Sequence, residues 1–420
     1  MSLTSEQTSI KRRFYFYSPV PPLKSGTAHY MELLLAQLFT GTEEDYDVIL
    51  VVDKHHYRDL SELVNLPFPV VDFRSVRRKK DDISYYFLAN NEYHRYIHKS
   101  LYDHKKDDGT AVSIVHEPCM WMNIQAMCNL REYGFNEEDL QYFARYEFGD
   151  HAEFMYDLFR RGATDINFEY TSLAGTHVYE KSDIIAFHSQ FALEKFTIER
   201  SETYVSSRDN EPVYMVMQHP PEKALQSITK KSVHKEKFVA GTYGWAQKTK
   251  QTDALIKGFD DFFKELSDTD KDRVALHVVG QVQPDRGFDP VAVANNSSSK
   301  DQVIFWGYVS DQKLDELMSE SSIVFSLRFP SCGETSGPLY KANALGIPVV
   351  LSDYAAFADE QAEYHVPVEK TLQHNEIVRI LHEEFKEYKS TNKKARRVPK
   401  AEPKGVTINQ VIDTVLAHQG

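Results

Sequence analysis

The chain has 420 residues, 41% of them apolar and 26% charged, with a formal net charge of −13. That length exceeds one ordinary core and points to two domains, while the composition excludes a disordered chain. The acidic balance argues against nucleic acid as a partner, and no run approaches the ~20 apolar residues of a membrane span.

The N-terminal segment MSLTSEQTSIKRR lacks the apolar run of a secretory signal. Cys119, Cys128 and Cys332 form neither a metal-like spacing nor a disulfide framework. A reducing, cytoplasmic location is therefore expected. Phe14–Tyr17 reads as a strand, followed by a Pro/Gly loop and a helix from about Thr27 to Phe39. Further strands are expected at Val48–Val52, Phe68–Phe73, Ile83–Leu88, Ala111–Val115, Asp183–Phe187 and Val213–Met217. The segment Cys119–Tyr179 has a helical pattern and decorates this half. After a polar, Lys-rich stretch the pattern restarts with FVAGTY, a helix at Asp253–Leu266, then VALHVVG, VIFWGYV, SIVFSL and IPVVLSD. Strands separated by helices predict an α/β protein with parallel, doubly wound sheets. The expected division is residues 1–222, with an insertion near 119–179, then 223–405, then a terminal helix in 406–420. The charged region Glu383–Gly405 reads as an exposed connection.

Ligands of open α/β sheets bind beyond the carboxyl ends of the strands. Three such places carry polar or glycine-rich sequence. In SPVPPLKSGTAHY, Gly26 opens a helix whose unpaired N–H groups suit a phosphate or a polar sugar; an ordinary capped turn is the alternative. In VHEP, His116 can donate to a sugar hydroxyl and Glu117 can act as a base, or both can be structural. The third, LRFPSCGETSGPLYKANALG, is the densest. Arg328 supplies a fixed cation and Glu334 a carboxylate, and Thr335, Ser336 and Gly337 precede a helix started by Pro338. Gly244, Lys248 and Lys250 follow the first strand of the second half, where a lysine can meet a diphosphate as a point charge.

These segments resemble the retaining glycosyltransferases of the GT-B fold, family four. The segments SPVPPLKSGTAHYMELLLAQL, YFLANNEYHRYIHKSL with VSIVHEP, and LRFPSCGETSGPLYKANALGIPVVLSD carry the resemblance; the GETSG form is similar to a bacterial subset that builds surface polysaccharides. The resemblance implies two Rossmann-like domains facing a cleft. It places a glycan or lipid-linked glycan acceptor on the first domain and a nucleotide-sugar on the second. It implies hexosyl transfer with retention, His116 and Glu334 at the reacting sugar, and Lys250, Arg328, Thr335, Ser336 and Gly337 at the donor phosphates. Gly26 and Glu117 would line the loops around the acceptor or donor. The sequence departs from the family in two places. Trp245 stands where an arginine is common, and Lys341 stands seven residues after Glu334 where a second, ribose-binding glutamate is expected one position later. Lys341, four residues after Gly337, could reach back toward the phosphates or pair with a nearby acid.

With cations and helix N–H groups on the phosphates, no metal or other cofactor is expected. Asp268–Asp270 spells DTD but lies between a helix and a strand, away from any strand's carboxyl end. The basic run Arg74–Lys80 is a candidate for peripheral contact with anionic lipid at the inner face of the membrane, or else a solvated loop. A GT-B-fold nucleotide-sugar epimerase and a non-catalytic glycosyltransferase-like binding protein remain alternatives.

Overall fold

The computed structural model describes residues 12–23, 25–38, 46–58, 60–63, 66–164, 166–203, 211–222, 237–284, 287–391, 394, 396 and 405–418. Its contacts divide the chain into two units. Unit 1 holds the chain up to Pro220, the three residues Cys332–Glu334, and the C-terminal segment from Pro403; unit 2 holds Pro221–Ser331 and Thr335–Glu402.

Unit 1 is built on strands β1 (Arg12–Tyr17), β2 (Tyr46–Val52), β3 (Val70–Asp72), β4 (Ile83–Leu88), β5 (Thr110–Val115), β6 (Ile184–Phe187) and β7 (Val213–Val216). They form one sheet in the order β3-β2-β1-β4-β5-β6-β7, with every pairing parallel. Side chains alternate between the faces of a strand, and β1 shows how both are filled. Phe14 and Phe16 enter one core with Leu34, Phe87 and Ile114; Tyr15 and Tyr17 enter the opposite one with Tyr86, Ile97 and Phe187. Burial on both faces explains why these strands read as apolar runs rather than alternating ones.

Helix α1 (Gly26–Leu38) covers the first face through Met31, Leu34, Leu35 and Leu38. Helix α2 (Arg95–Tyr102) follows β4. The expected insertion is a separate helical layer: α3 (Trp121–Leu130), α4 (Glu137–Phe148), α5 (Ala152–Arg160), α6 (Ile166–Glu169) and α7 (Thr176–Lys181). Its core stacks Trp121 on Phe159 at 4.4 Å. Helix α8 (Gln190–Thr203) follows β6.

Unit 2 repeats the plan with β8 (Phe238–Tyr243), β9 (Val274–Val279), β10 (Val303–Gly307), β11 (Ile323–Ser326), β12 (Val349–Ser352) and β13 (Tyr364–Val366), in the order β10-β9-β8-β11-β12-β13. All pairings are parallel. The three-residue β13 has too little pattern to be read from sequence. Its helices are α9 (Thr252–Lys264), α10 (Asp268–Lys271), α11 (Pro290–Asn295), α12 (Asp311–Glu320), α13 (Gly337–Ala344), α14 (Ala356–Asp359) and α15 (Lys370–Thr391).

Two expectations change. The region from Glu383 does not begin an exposed connection: α15 runs on to Thr391, and Phe385 and Tyr388 bury into the core against Phe238. The terminal helix α16 (Ile408–His418) is not a separate piece but part of unit 1. Ile408, Val411, Ile412 and Val415 complete the core beneath α1. Val406 pairs with the end of β7, donating to the Val216 carbonyl at 2.9 Å and accepting from the Gln218 amide at 3.0 Å. Gly405, at φ +95°, permits that approach, since a Cβ there would lie 2.5 Å from the Val216 oxygen.

Candidate active site

In unit 2, β8 is followed by Gly244, whose φ of +90° favours glycine. A Cβ at Gly244 would lie 2.3 Å from the Lys250 ammonium and 3.9 Å from Pro338 Cγ. Lys250 ends the short turn Lys248–Lys250 and donates to the Tyr243 carbonyl at 3.1 Å. The strand end, the ammonium and the first turn of α13 therefore meet. Ser336 is the N-cap of α13, yet its side chain makes no capping bond; its hydroxyl lies 3.1 Å from that of Ser326. A Cβ at Gly337 would meet nothing within 4 Å. A helix start left without its side-chain cap, opening on free space beside a lysine, is an arrangement suited to an anion. Arg328 is buried just past β11. Its amide donates to the Ser352 hydroxyl at 2.9 Å, its Nη1 donates to the Leu327 carbonyl at 2.9 Å, and its guanidinium sits 5.5 Å from the Phe357 ring centre. Lys248 is exposed on the same turn.

Lys341 does not reach back to this point. Its ammonium binds Asp315 of α12 at 2.5 Å, with both side chains largely buried. The helix-face rule allowed either direction, and a carboxylate on the neighbouring helix decides it.

In unit 1, β5 delivers His116 to the sheet's carboxyl edge, where its amide donates to the Leu88 carbonyl at 2.8 Å. It lies within a group that sequence reading left out. His188, just past β6, stacks on His116 at 4.9 Å. Tyr30 of α1 meets His116 edge-on at 4.6 Å, His188 at 5.2 Å and His219 at 5.2 Å. The rule of looking past every strand end would have found His188, which directly follows the DIIAF run; Tyr30 and His94 are tertiary neighbours with no local signal.

Carbonyl oxygens only accept, so the partners of these rings fix their tautomers. His188 donates from Nδ1 to the Met217 carbonyl at 3.0 Å. His94 donates from Nδ1 to the Phe87 carbonyl at 2.7 Å and, at Nε2, accepts from the Thr27 hydroxyl at 3.0 Å. Thr27 in turn lies 2.7 Å from the Ser25 hydroxyl, which accepts from the Ala28 amide and caps α1. This chain pins the loop on both sides of Gly26, and a Cβ at Gly26 would meet nothing within 4 Å. Burial pushes His188 down to about 4 and His94 to about 3, and holds His116 well below the usual histidine range. These imidazoles are neutral near pH 7. The Nε2 atoms of His116 and His188 and the Tyr30 hydroxyl are buried without a hydrogen-bond partner among the described residues.

The Glu117 carboxylate accepts from the Asn90 amide at 2.9 Å, and the Asn90 side chain accepts from the Asn123 amide at 2.9 Å. It thus ties the loop after β4 to α3. Glu334 accepts from the Cys332 amide at 3.0 Å. The Cys332–Glu334 turn groups with unit 1, where the Ser189 hydroxyl donates to the Gly333 carbonyl at 3.2 Å. Thr335, next in the chain, groups with unit 2.

The DTD segment forms α10, capped by Ser267. Asp268 pairs with Lys271 at 3.0 Å and Asp270 with Lys389 at 2.9 Å. No group of three or more His, Cys, Asp or Glu among the described residues is arranged to hold a metal ion. In the basic run, Arg74 binds Asp53 and Asp72, and Arg78 binds Asp108 and the Tyr86 hydroxyl. Two of its arginines are therefore spent within unit 1, which weakens the case for a lipid-binding patch. No described helix is long and apolar enough to cross a membrane.

Residues 226–398 match the family model of the glycosyl transferases group 1. The match spans most of unit 2. No curated protein matches the sequence. Among solved structures, the chain is similar to Anabaena HepE in complex with UDP and glucose, at 14% identity and a TM-score of 0.56, covering 97% of this chain and 100% of that one. The N-terminal domain of Candida albicans trehalose-6-phosphate phosphatase is similar at 11% identity and 0.56, covering 97% of each chain. A Burkholderia xenovorans α,α-trehalose-phosphate synthase, solved with glucose-6-phosphate, is similar at 10% identity and 0.54, covering 88% of this chain and 91% of that one. The fold is GT-B. Within the GT-B plan, the Lys250 site belongs to the unit that carries the family match, and the histidine group belongs to the other.

Proposed function

We propose that the protein is a retaining glycosyltransferase that moves a hexose from a nucleotide-sugar to a glycan or lipid-linked glycan acceptor in surface polysaccharide synthesis. The observation that carries this reading is the meeting of Gly244, Lys250 and the uncapped start of α13. The donor diphosphate binds there, with Arg328 as a second cation. Lys250 and the helix N–H groups stabilise the charge that builds on the leaving phosphate, the interaction that most lowers such a barrier. The acceptor binds unit 1. His116 is held neutral by burial, so it serves as a hydrogen-bonding group to sugar hydroxyls and not as a cationic acid. Glu334 holds sugar hydroxyls and forms no covalent intermediate; the diphosphate departs from the face that the acceptor hydroxyl attacks. Because protein cations meet the phosphates, the reaction needs no divalent metal. The enzyme works in the cytoplasm.

The test is incubation with UDP-, GDP- and ADP-hexoses, with and without oligosaccharide and lipid-linked acceptors. The expected result is acceptor-dependent release of nucleoside diphosphate that persists in excess EDTA, and a product with the donor's anomeric configuration by NMR. Donor conversion without acceptor would replace this reading with an isomerase. Inversion, or loss of activity in EDTA restored by magnesium, would overturn the proposed chemistry.

A further inference from the structure

Unit 2 has an unusual floor at the carboxyl end of its first three strands. The Gly244 amide donates to the Val279 carbonyl at 2.9 Å, and the Gly280 amide to the Gly307 carbonyl at 2.9 Å. Any side chain at Gly280 is shut out, since its Cβ would lie 2.1 Å from the Gly244 oxygen; its φ is +135°. Three glycines from β8, β9 and β10 thus bring three strand ends together with no side chain between them. The residues that follow the first and last of these glycines are both large, exposed aromatics: Trp245, 42% exposed, and Tyr308, 48% exposed.

Trp245 is the more informative of the two. The other tryptophans are accounted for. Trp121 is fully buried in the helical insertion, and Trp306 lies under the Lys313 ammonium at 5.4 Å. The Trp245 indole has no ring, cation or hydrogen-bond partner among the described residues, yet its backbone is fixed. The Ala246 amide donates to the Gln281 carbonyl at 2.9 Å, the Gln283 amide to the Ala246 carbonyl at 3.0 Å, and the Gln247 amide to the Trp245 carbonyl at 3.1 Å. An indole 42% exposed on a backbone held by these three bonds offers a face for another flat or apolar group. The Lys250 ammonium lies beside Gly244, the chain neighbour of Trp245, where a Cβ would be 2.3 Å from it. The ligand that fits carries an anionic group for Lys250 and, next to it, a ring.

We propose that Trp245 is a stacking residue of the donor site. Its indole packs on the face of a ring attached to the diphosphate held at Lys250. The proposal rests on the reading of unit 2 as the nucleotide-sugar unit. A nucleobase and a pyranose both offer such a face, and the arms of the test separate them.

The full-length protein and its Trp245→Ala and Trp245→Phe variants are titrated by calorimetry with UDP, GDP and ADP, and with the glucose conjugate of each. Trp245 is exposed, so both variants are expected to melt at the wild-type temperature. For the tightest diphosphate pair, Trp245→Ala is expected to weaken binding about tenfold and Trp245→Phe by about threefold or less. An equal loss on diphosphate and conjugate assigns the stack to the base; a loss on the conjugate alone assigns it to the sugar. Intrinsic fluorescence should be quenched by the ligand in wild type and much less so in Trp245→Phe. Wild-type binding that survives Trp245→Ala within twofold overturns the stacking role and leaves the donor-unit reading intact. Failure of wild type to bind any of the six ligands overturns both.

Discussion

Units 1 and 2 put opposite chemistries on the same scaffold. Both are parallel sheets whose strand order turns at the first strand, and both present polar groups past the carboxyl ends. In unit 1 those groups are imidazoles that burial keeps uncharged, joined by hydroxyls of Ser25, Thr27 and Tyr30. In unit 2 they are the Lys250 ammonium, the Arg328 guanidinium and a helix start. Neutral donors and acceptors suit sugar hydroxyls, while fixed cations suit a diphosphate. The scaffold supplies the place, and the few residues after each strand supply the ligand class.

Removing the cation at the unit 2 site should have the largest effect. Lys250→Ala is expected to lower transfer about 100-fold or more, the range seen when one charge-stabilising donor is lost, and to weaken nucleoside diphosphate binding. An unchanged diphosphate Kd would break the contrast, because unit 2 would then hold no anion at this point. On the other side, His116→Ala should lower turnover by about 10- to 100-fold while diphosphate affinity stays within twofold. Loss of diphosphate affinity on that substitution would show that the division of labour is wrong.

The contrast extends to acid. Unit 1 buries six histidines, His94, His98, His104, His116, His177 and His188, against His277 alone in the described part of unit 2. Burial lowers all six, to about 4 for His98, His104 and His188. Between pH ~6.5 and ~4 the unfolded chain binds these protons and the folded one does not. Their contribution is thus intact above ~6.5 and is lost as pH falls through that window. Hydrogen exchange at pH 7 and pH 5 should show α2 and α7, where His98 and His177 hydrogen-bond at 2.9 Å, losing protection before α9 and α15 do. Equal loss in both units would remove the histidines as the cause.

The smallest effect on binding is expected at Lys341. Because it pairs with Asp315, Lys341→Ala should lower stability by roughly 2 kcal/mol, below the ~3–5 kcal/mol of a fully buried pair, with diphosphate affinity within twofold. A large loss of affinity would return it to the donor site.

Much of the fold, and the placing of these residues past strand ends, was readable from sequence because it is local. Strand runs, the loop before α1, His116 at the end of β5 and the serine- and glycine-rich approach to α13 all carry their meaning within a dozen residues. What escaped depends on distant partners. Glu117 could be read as a base or as structural, and the Asn90 amide that binds its carboxylate is 27 residues away. Lys341 faced two ways until Asp315 was placed beside it. The region after Glu383 looked solvated because charge surrounds Phe385 and Tyr388, whose burial depends on Phe238 and Phe262.

The return of α16 to unit 1 has a consequence for biosynthesis. The ribosome delivers the seven strands of unit 1 first, but the layer beneath α1 lacks Ile408, Val411, Ile412 and Val415 until unit 2 has been made. At ~5–20 residues per second, roughly 10–40 s separate the two. Throughout that interval the nascent first unit exposes an unfinished apolar seam while unit 2 emerges and can fold on its own contacts. The later-made unit can therefore mature first, and the earlier-made one depends on chaperones or on its partial core until α16 arrives.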